Sequence, residues 1–230
     1  MHYSNVSSCA TAASLQTCQR IRVYPLIKRT LETILSLALL VLLAPVFMLV
    51  TLAIKLDSPG PAIFRQTRIG KDGEPFTFYK FRSMFHDIDT SGHQAFMKAF
   101  VNGYIDQATH DKEVFKPAQD DQITQIGRLL RKTSLDELPQ LINVIKGEMS
   151  FIGPRPNIPA EVEEYKDWHK RRLQALPGIT GWAQVNGRSS LSFDQIARYD
   201  LEYIDRENLF MDLRIVRRTL SYVVQSKGAQ

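Results

Sequence analysis

From Ile34 to Ile54 the chain reads ILSLALLVLLAPVFMLVTLAI, 21 residues without one ionisable group. As a helix this run measures about 31 Å at ~1.5 Å rise per residue, enough to cross the core of a bilayer. The buried helix of a soluble protein seldom lacks a polar face for so many turns, so contact with lipid is the expected state. A cleaved secretory signal fits poorly. The run is too long for one, about 30 residues precede it, and Lys55-Leu56-Asp57 behind it offers no small-residue cleavage site.

Charge then bears on the path of the segment. Arg20, Arg22, Lys28 and Arg29 stand before it, with no acidic residue up to position 30. Lys55, Arg65, Arg68, Lys71, Lys80 and Arg82 follow it, against Asp57, Asp72 and Glu74. Both flanks are therefore positive and both prefer the cytoplasmic side. One straight crossing cannot satisfy both. Pro45, near the middle of the run, removes a helical donor, clashes with the preceding turn and pushes Ala44 from helical dihedrals. The expectation is a re-entrant hairpin, helix then break then helix, with a kinked spanning helix as the alternative.

Ser58-Pro59-Gly60-Pro61 stops the apolar helix, which divides the chain into a flexible leader (1–24), a membrane helix (25–58) and a soluble domain (59–230). With 44% apolar and 23% charged residues the chain is not disordered, collagen-like or coiled-coil. Cys9 and Cys18 are the only cysteines, so there is no disulfide framework and no C-x-x-C pair, and a reducing cytoplasm is the easier home. A net charge of +5 and a pI near 9.2 attract phosphates, nucleic acid or anionic lipid without choosing among them.

The expected fold class is α+β, mostly helical. Residues 62–69 and 75–82 flank Gly70-Lys71-Asp72-Gly73 and read as a β-hairpin, with Phe76, Phe78, Lys80 and Arg82 on one face. Phe96, Met97, Phe100, Val101 and Tyr104 suggest a short amphipathic helix. His86, His93 and His110, with Asp87, Asp89 and Asp111, are scattered without ligand spacing and read as solvated. Ile123, Ile126, Leu129 and Leu130 form one helical stripe, and Leu138, Leu141, Ile142 and Ile145 another, meeting around Ser134. Val162, Tyr165, Trp168, Leu173 and Leu176 recur at helical spacing up to Pro177-Gly178. Leu209, Leu213, Val216, Leu220 and Val223 give a last amphipathic helix, with Arg214, Arg217 and Arg218 beside them. It either lies on anionic lipid or packs on the domain.

The densest polar cluster runs from Arg128 to Pro139. Ser134 followed by Glu137 is a capping-box pattern, and Pro139 belongs near a helix start, so Asp136 and Glu137 fall in a first turn. Two readings stand: the acids cap the helix and complement its dipole, or they handle a phosphate through a divalent cation or direct attack on phosphorus. Arg128, Arg131 and Lys132 just before them can neutralise phosphate oxygens. Arg155 in Gly153-Pro154-Arg155-Pro156 is held between prolines, ready for a phosphate. Gly178, Gly181 and Gly187, with Gln184, Asn186 and Arg188, form either a donor-rich loop or a tight structural turn. Neither G-x-x-x-x-G-K-[ST] nor G-x-G-x-x-G is present.

On KFRSM (80–84), TSLDELPQLINVIKGEMSFIGPRP (133–156) and PGITGWAQVNGR (177–188), the chain resembles the bacterial sugar transferase family, the monotopic phosphoglycosyl transferases, over about residues 25–225. The resemblance implies transfer of a sugar 1-phosphate from a UDP-sugar to polyprenyl (undecaprenyl) phosphate, releasing UMP and starting exopolysaccharide, O-antigen or capsule assembly. It implies a membrane helix broken at proline, a cytoplasmic catalytic domain with amphipathic surface helices, and a place at the bacterial inner membrane, in contact with its lipid. By motif, Asp136 matches the aspartate that carries the phosphosugar, and Glu137 completes the dyad. Lys80, Arg131, Glu148, Arg155 and Asp212 (in MDLRI) match further site positions: Lys80 as catalytic, Arg131, Arg155 and Asp212 as substrate-binding. Magnesium (Mg2+) is the implied cofactor, with Glu137 and Glu148 as its ligands. Ala44, Glu32 and Glu148 replace the serine, aspartate and aspartate usual in the family. Larger relatives carry further segments ahead of this core, and the chain reads as the catalytic core alone.

Two other functions compete: a membrane-attached, metal-dependent nucleotide-sugar hydrolase built on the same acids, and a non-enzymatic scaffold for anionic lipid. No nucleic-acid recognition motif is present, so nucleic acid is not an expected partner. A homo-oligomer is left open.

Overall fold

The computed structural model describes residues 10–86, 91–104, 120–187 and 190–224, with the side chains of 10–23, His93, Asp120 and Val224 excepted. Residues 1–9, Asp87, Asp89, His110, Asp111 and Arg188, on which parts of the sequence reading fall, lie outside the described residues. Among the described residues the chain is mostly helical, with one antiparallel hairpin and one short parallel strand pair.

Helix α1 runs Ala10–Leu42, through Pro25 and back into the stretch assigned to the leader, and α2 runs Ala44–Asp57. The part of α1 from Tyr24 meets α2 at an angle of 62°. The bend follows from Pro45, which sits in the first turn of α2, where a missing N–H costs nothing. The helical bonds on either side persist, Leu43 N to Leu39 O at 2.8 Å and Phe47 N to Leu43 O at 2.9 Å. No single helix among the described residues is long and apolar enough to cross a membrane, but this bent pair is, by length and composition. Its outer faces are bare: Leu31, Ile34, Leu35, Leu37, Val41, Leu42, Met48, Leu49 and Leu52 are all exposed.

At Asp57 the helix stops, and its last carbonyls find a partner far along the chain. The buried guanidinium of Arg82 donates to Ile54 O (3.2 Å), Ser58 O (2.6 Å), Ser58 Oγ (2.9 Å) and Pro59 O (2.7 Å). A cation there satisfies both the orphan carbonyls and the negative helix end. Arg82 thus fastens the hairpin β1 (Ile63–Ile69) and β2 (Pro75–Phe81) to the end of α2. The strands pair in the register Ile63↔Phe81, Gln66↔Phe78 and Ile69↔Pro75. Asp72 and Gly73 turn the chain at φ +57° and +83°, which Asp tolerates and Gly prefers. Phe76 and Phe78 pack on Val144 and Met149, while Phe81 faces the other way onto Ile54, Ala62 and Leu130.

Helix α3 (Ser91–Val101) buries Phe96, Phe100 and Val101 as its spacing predicts, but Tyr104 lies beyond it and is exposed, as is His86. Helices α4 (Gln125–Thr133) and α5 (Gln140–Lys146) form the pair expected around Ser134, although Leu129 and Ile142 point outward. After β3 (Ser150–Ile152), the predicted helix through 162–176 is not continuous. Helix α6 covers only Pro159–Val162, and a 3-10 segment spans His169–Gln174. Its apolar residues serve packing on α3 and α7 rather than one helical stripe.

Strand β4 (Gly178–Thr180) pairs in parallel with β3. A Cβ on Gly178 would stand 2.1 Å from Gly153 N, so this glycine permits two backbones to touch, which is the structural reading of the loop. Helix α7 (Phe193–Arg206), capped by Ser192 and Gln195, and α8 (Leu209–Val224) complete the fold. They bury Tyr203 and Ile215 against Ile152, Trp182 and Val185. Most of the stripe predicted for α8 faces outward: Leu209, Leu213, Val216 and Leu220 are exposed, as is Phe210, while Val223 is half-buried.

Candidate active site

Asp136 and Glu137 share one 3-10 turn, Leu135–Glu137, between α4 and α5. Ser134 just before it adopts a left-handed conformation (φ +57°) and closes α4 through its N–H to Arg131 O. The expected capping box is therefore absent: an N-cap side chain needs an extended backbone, and the Ser134 side chain makes no cap bond. Leu135 and Leu138, flanking the acids, pack on the cluster of Ile54, Ala62, Phe81 and Leu130, against which Phe47 and Val50 of α2 also pack. The turn that carries both carboxylates thus shares one apolar cluster with the second arm of the bent helix pair.

Strand β2 delivers Lys80 to this turn. Its Nζ lies 2.7 Å from Asp136 Oδ2 and 3.6 Å from Glu137 Oε1. Arg155, held between Pro154 and Pro156, donates both Nη groups to Glu137 Oε1 at 3.2 Å. Burial alone would raise the Glu137 pKa, yet Arg155 and Lys80 outweigh it and hold this carboxyl below the usual range. Glu137 in turn raises the Arg155 pKa. Arg131 approaches from α4 with Nε donating to Ser83 Oγ at 3.0 Å, and burial lowers its pKa. Asp136 is buried, while Lys80 and Glu137 keep partial exposure and Arg155 is open to solvent. Five predicted residues, Lys80, Arg131, Asp136, Glu137 and Arg155, thus form one cluster of two acids and three cations.

Two predicted residues lie elsewhere. Glu148, expected as a metal ligand with Glu137, instead accepts from Lys146 Nζ at 2.8 Å and from Asn143 Nδ2 at 2.7 Å. Asn143 also bridges to Thr77 O and Tyr79 N, so this carboxylate braces α5 against β2. Among the described residues no group of three or more His, Cys, Asp or Glu side chains is placed to hold a metal. Asp212, expected to touch substrate, is buried where α8 meets α1. It accepts from Tyr24 OH (2.6 Å) and Tyr203 OH (2.8 Å) and pairs with Lys28 (3.1 Å). Lys28 further reaches Glu207 at 3.0 Å and Tyr203 OH at 2.6 Å, and Glu32 accepts from Ser150 Oγ and Phe151 N. These contacts dock α1 on the domain.

Sequence reasoning passed over several supports of the cluster. Arg172 makes a buried pair with Asp200 at 2.7 Å and donates to Arg155 O, holding the backbone of the proline-flanked arginine. Arg68, half-buried, donates to Pro156 O at 3.0 Å. Nothing in the runs around these arginines distinguishes them from surface cations. His169, also buried, accepts from Lys166 N at its Nδ1 and donates from Nε2 to Asp194 Oδ1 at 3.0 Å.

A turn with paired acids, three cations around it and an apolar cluster shared with α2 is suited to phosphate chemistry. The sequence model of the family described as "Bacterial sugar transferase" matches residues 23–226, and the chain belongs to that family. It is 41% identical over 213 residues to the UDP-glucose:undecaprenyl-phosphate glucose-1-phosphate transferase of Escherichia coli (strain K12), covering 89% of this chain and 41% of that protein. It is 38% identical over 203 residues to the undecaprenyl-phosphate galactose phosphotransferase of Salmonella typhimurium, covering 88% and 41%. The sugar transferase EpsL of Bacillus subtilis is 35% identical over 205 residues, covering 89% of this chain and 91% of its own length. The chain thus spans about two fifths of the first two relatives.

Proposed function

We propose that this chain transfers a sugar 1-phosphate from a UDP-sugar to undecaprenyl phosphate, releasing UMP, as the first membrane step of glycan assembly. The observation that carries this reading is the buried Asp136 paired with Lys80 on a turn that shares an apolar cluster with α2. A carboxylate there can meet a water-soluble donor from one side and a lipid phosphate from the other. The relatives from Escherichia coli and Salmonella typhimurium, named for that donor and acceptor chemistry, support it.

In the first half-reaction Asp136 attacks the phosphorus next to the sugar, and the bond to UMP breaks with its electron pair leaving on UMP. In the second, an oxygen of undecaprenyl phosphate attacks the same phosphorus and the aspartyl bond breaks, restoring the carboxylate. Lys80 neutralises Asp136 at rest and the phosphoryl oxygens as they approach. Arg155 exchanges Glu137 for the diphosphate, which frees Glu137. A two-acid site suits Mg2+, which takes one or two carboxylates and completes its shell with water and substrate phosphates. Glu137 is the residue of this cluster that would hold it. Bound there, the ion would supply charge neutralisation to the departing UMP.

In this reading the bent pair α1 and α2 is a re-entrant hairpin in the bacterial inner membrane, and the catalytic domain faces the cytoplasm. Positive charge on both flanks, the 62° bend and the bare apolar faces support it. Purified protein in detergent with Mg2+, undecaprenyl phosphate and a panel of UDP-sugars tests the activity, with UMP as readout. The expected result is UMP release that depends on the lipid phosphate. Sustained UMP release without it would indicate a hydrolase. Lipid binding without any turnover, insensitive to Asp136 and Glu137, would indicate a scaffold.

A further inference from the structure

Three lines of contact converge on Ser83, two residues beyond β2. Its carbonyl accepts from Thr124 N at 3.3 Å, and its neighbour Met84 bridges to Ile123. At Gly127 a Cβ would lie 2.0 Å from Ser83 O, so the start of α4 is pressed directly onto the Ser83 peptide. The side chain is buried, and its hydroxyl accepts from Arg131 Nε at 3.0 Å.

That bond constrains more than one atom. A guanidinium is planar, so fixing Nε on an immobile acceptor fixes the direction of the whole fork. Among the described residues no hydrogen bond engages either Nη group of Arg131, and no ion pair joins it to Asp136, although the two attract electrostatically. Two Nη groups of a half-buried cation therefore have no protein partner among the described residues, close enough to Asp136 to feel its charge. A phosphate oxygen is the chemistry that such a fork accepts.

We infer that Ser83 is a positioning residue for the transfer: its hydroxyl orients Arg131 so that the free end of the guanidinium binds the donor's diphosphate beside Asp136. This rests on the reading of the site given above. A hydroxyl that merely filled space would affect folding stability but not anion binding through Arg131.

The test uses the full chain in detergent micelles and compares Ser83→Thr, which keeps the hydroxyl, with Ser83→Val, which keeps the shape without it. Inorganic pyrophosphate binding is measured by calorimetry, and the KM for UDP-sugar by UMP release, each also in an Arg131→Gln background. Loss of one charge-assisted bond weakens pyrophosphate binding and raises the donor KM on the order of tenfold in the Val variant, while Thr restores both. In the Arg131→Gln background, Thr and Val bind pyrophosphate equally. Equal affinities for Thr and Val with Arg131 intact would overturn the inference, as would a Val deficit that persists in full without Arg131. The pyrophosphate measurement needs no turnover, so it judges Ser83 even if the chain proves not to release UMP.

Discussion

The Lys80 ammonium lies 2.7 Å from the Asp136 carboxylate, and that carboxylate is almost wholly buried. An ion pair so placed loses its balance when either partner goes. Replacing Lys80 with Met leaves a buried negative charge without its cation, at a cost of roughly 3 to 5 kcal/mol in stability. Transfer is expected to fall at least a hundredfold, on the order of what one charge-stabilising group contributes. Asp136→Asn in the Lys80→Met background should recover part of the stability but none of the activity. Thermal unfolding and UMP release measure the two.

Arg155 sets the protonation of Glu137. Burial pushes that carboxyl up, and Arg155 with Lys80 pulls it down further, so it is ionised in the native site to lower pH than an ordinary glutamate. Removing Arg155 removes part of the pull. The acid limb of the kcat/KM profile should therefore move to higher pH in Arg155→Ala, and the KM for UDP-sugar should rise. An acid limb unchanged in the variant would show that Glu137 does not govern it.

His169 is fully buried beside Asp194, among Tyr165, Trp168 and Phe193, and burial lowers its pKa. The unfolded chain binds a proton at about pH 6.5 that the folded chain refuses until lower pH. Its contribution is thus present above about pH 6.5 and is lost as pH falls from there toward the depressed native value. Stability should drop with acid over that window by up to about 1.4 kcal/mol per pH unit, and His169→Gln should flatten the slope. Chemical denaturation across pH 5 to 7.5 measures it.

The proposed topology has its own test in Cys9 and Cys18, which precede the apolar segment. A re-entrant hairpin keeps both on the cytoplasmic side. A membrane-impermeant maleimide should leave them unlabelled in intact cells with a permeabilised outer membrane, and label them after inner-membrane permeabilisation. Labelling in intact cells would establish a spanning helix instead.

Local stereochemistry was readable in the sequence. The bend at Pro45 and the turn through Asp72 and Gly73 follow from the dihedrals those residues allow, and both occur. Pairing across distance was not readable. Glu148 is claimed by Asn143 and Lys146, and Asp212 by Tyr24, Lys28 and Tyr203, partners up to 188 positions away. Ser134 carried a capping pattern but took a left-handed conformation to end α4, while the capping box that does form, Ser192 with Gln195, opens a helix the periodicity had not revealed. The stripe on α8 shows the limit of periodicity itself, which marks an apolar face without saying what the face meets.

Trapping the covalent intermediate tests the central claim most directly. The protein is incubated with Mg2+ and a UDP-sugar without lipid acceptor, digested, and analysed by mass spectrometry. The account predicts a sugar-phosphate adduct on the peptide containing Asp136, formed with one equivalent of UMP, discharged by undecaprenyl phosphate and absent in Asp136→Asn. Full transfer activity in Asp136→Asn, or an adduct on another residue, would contradict it.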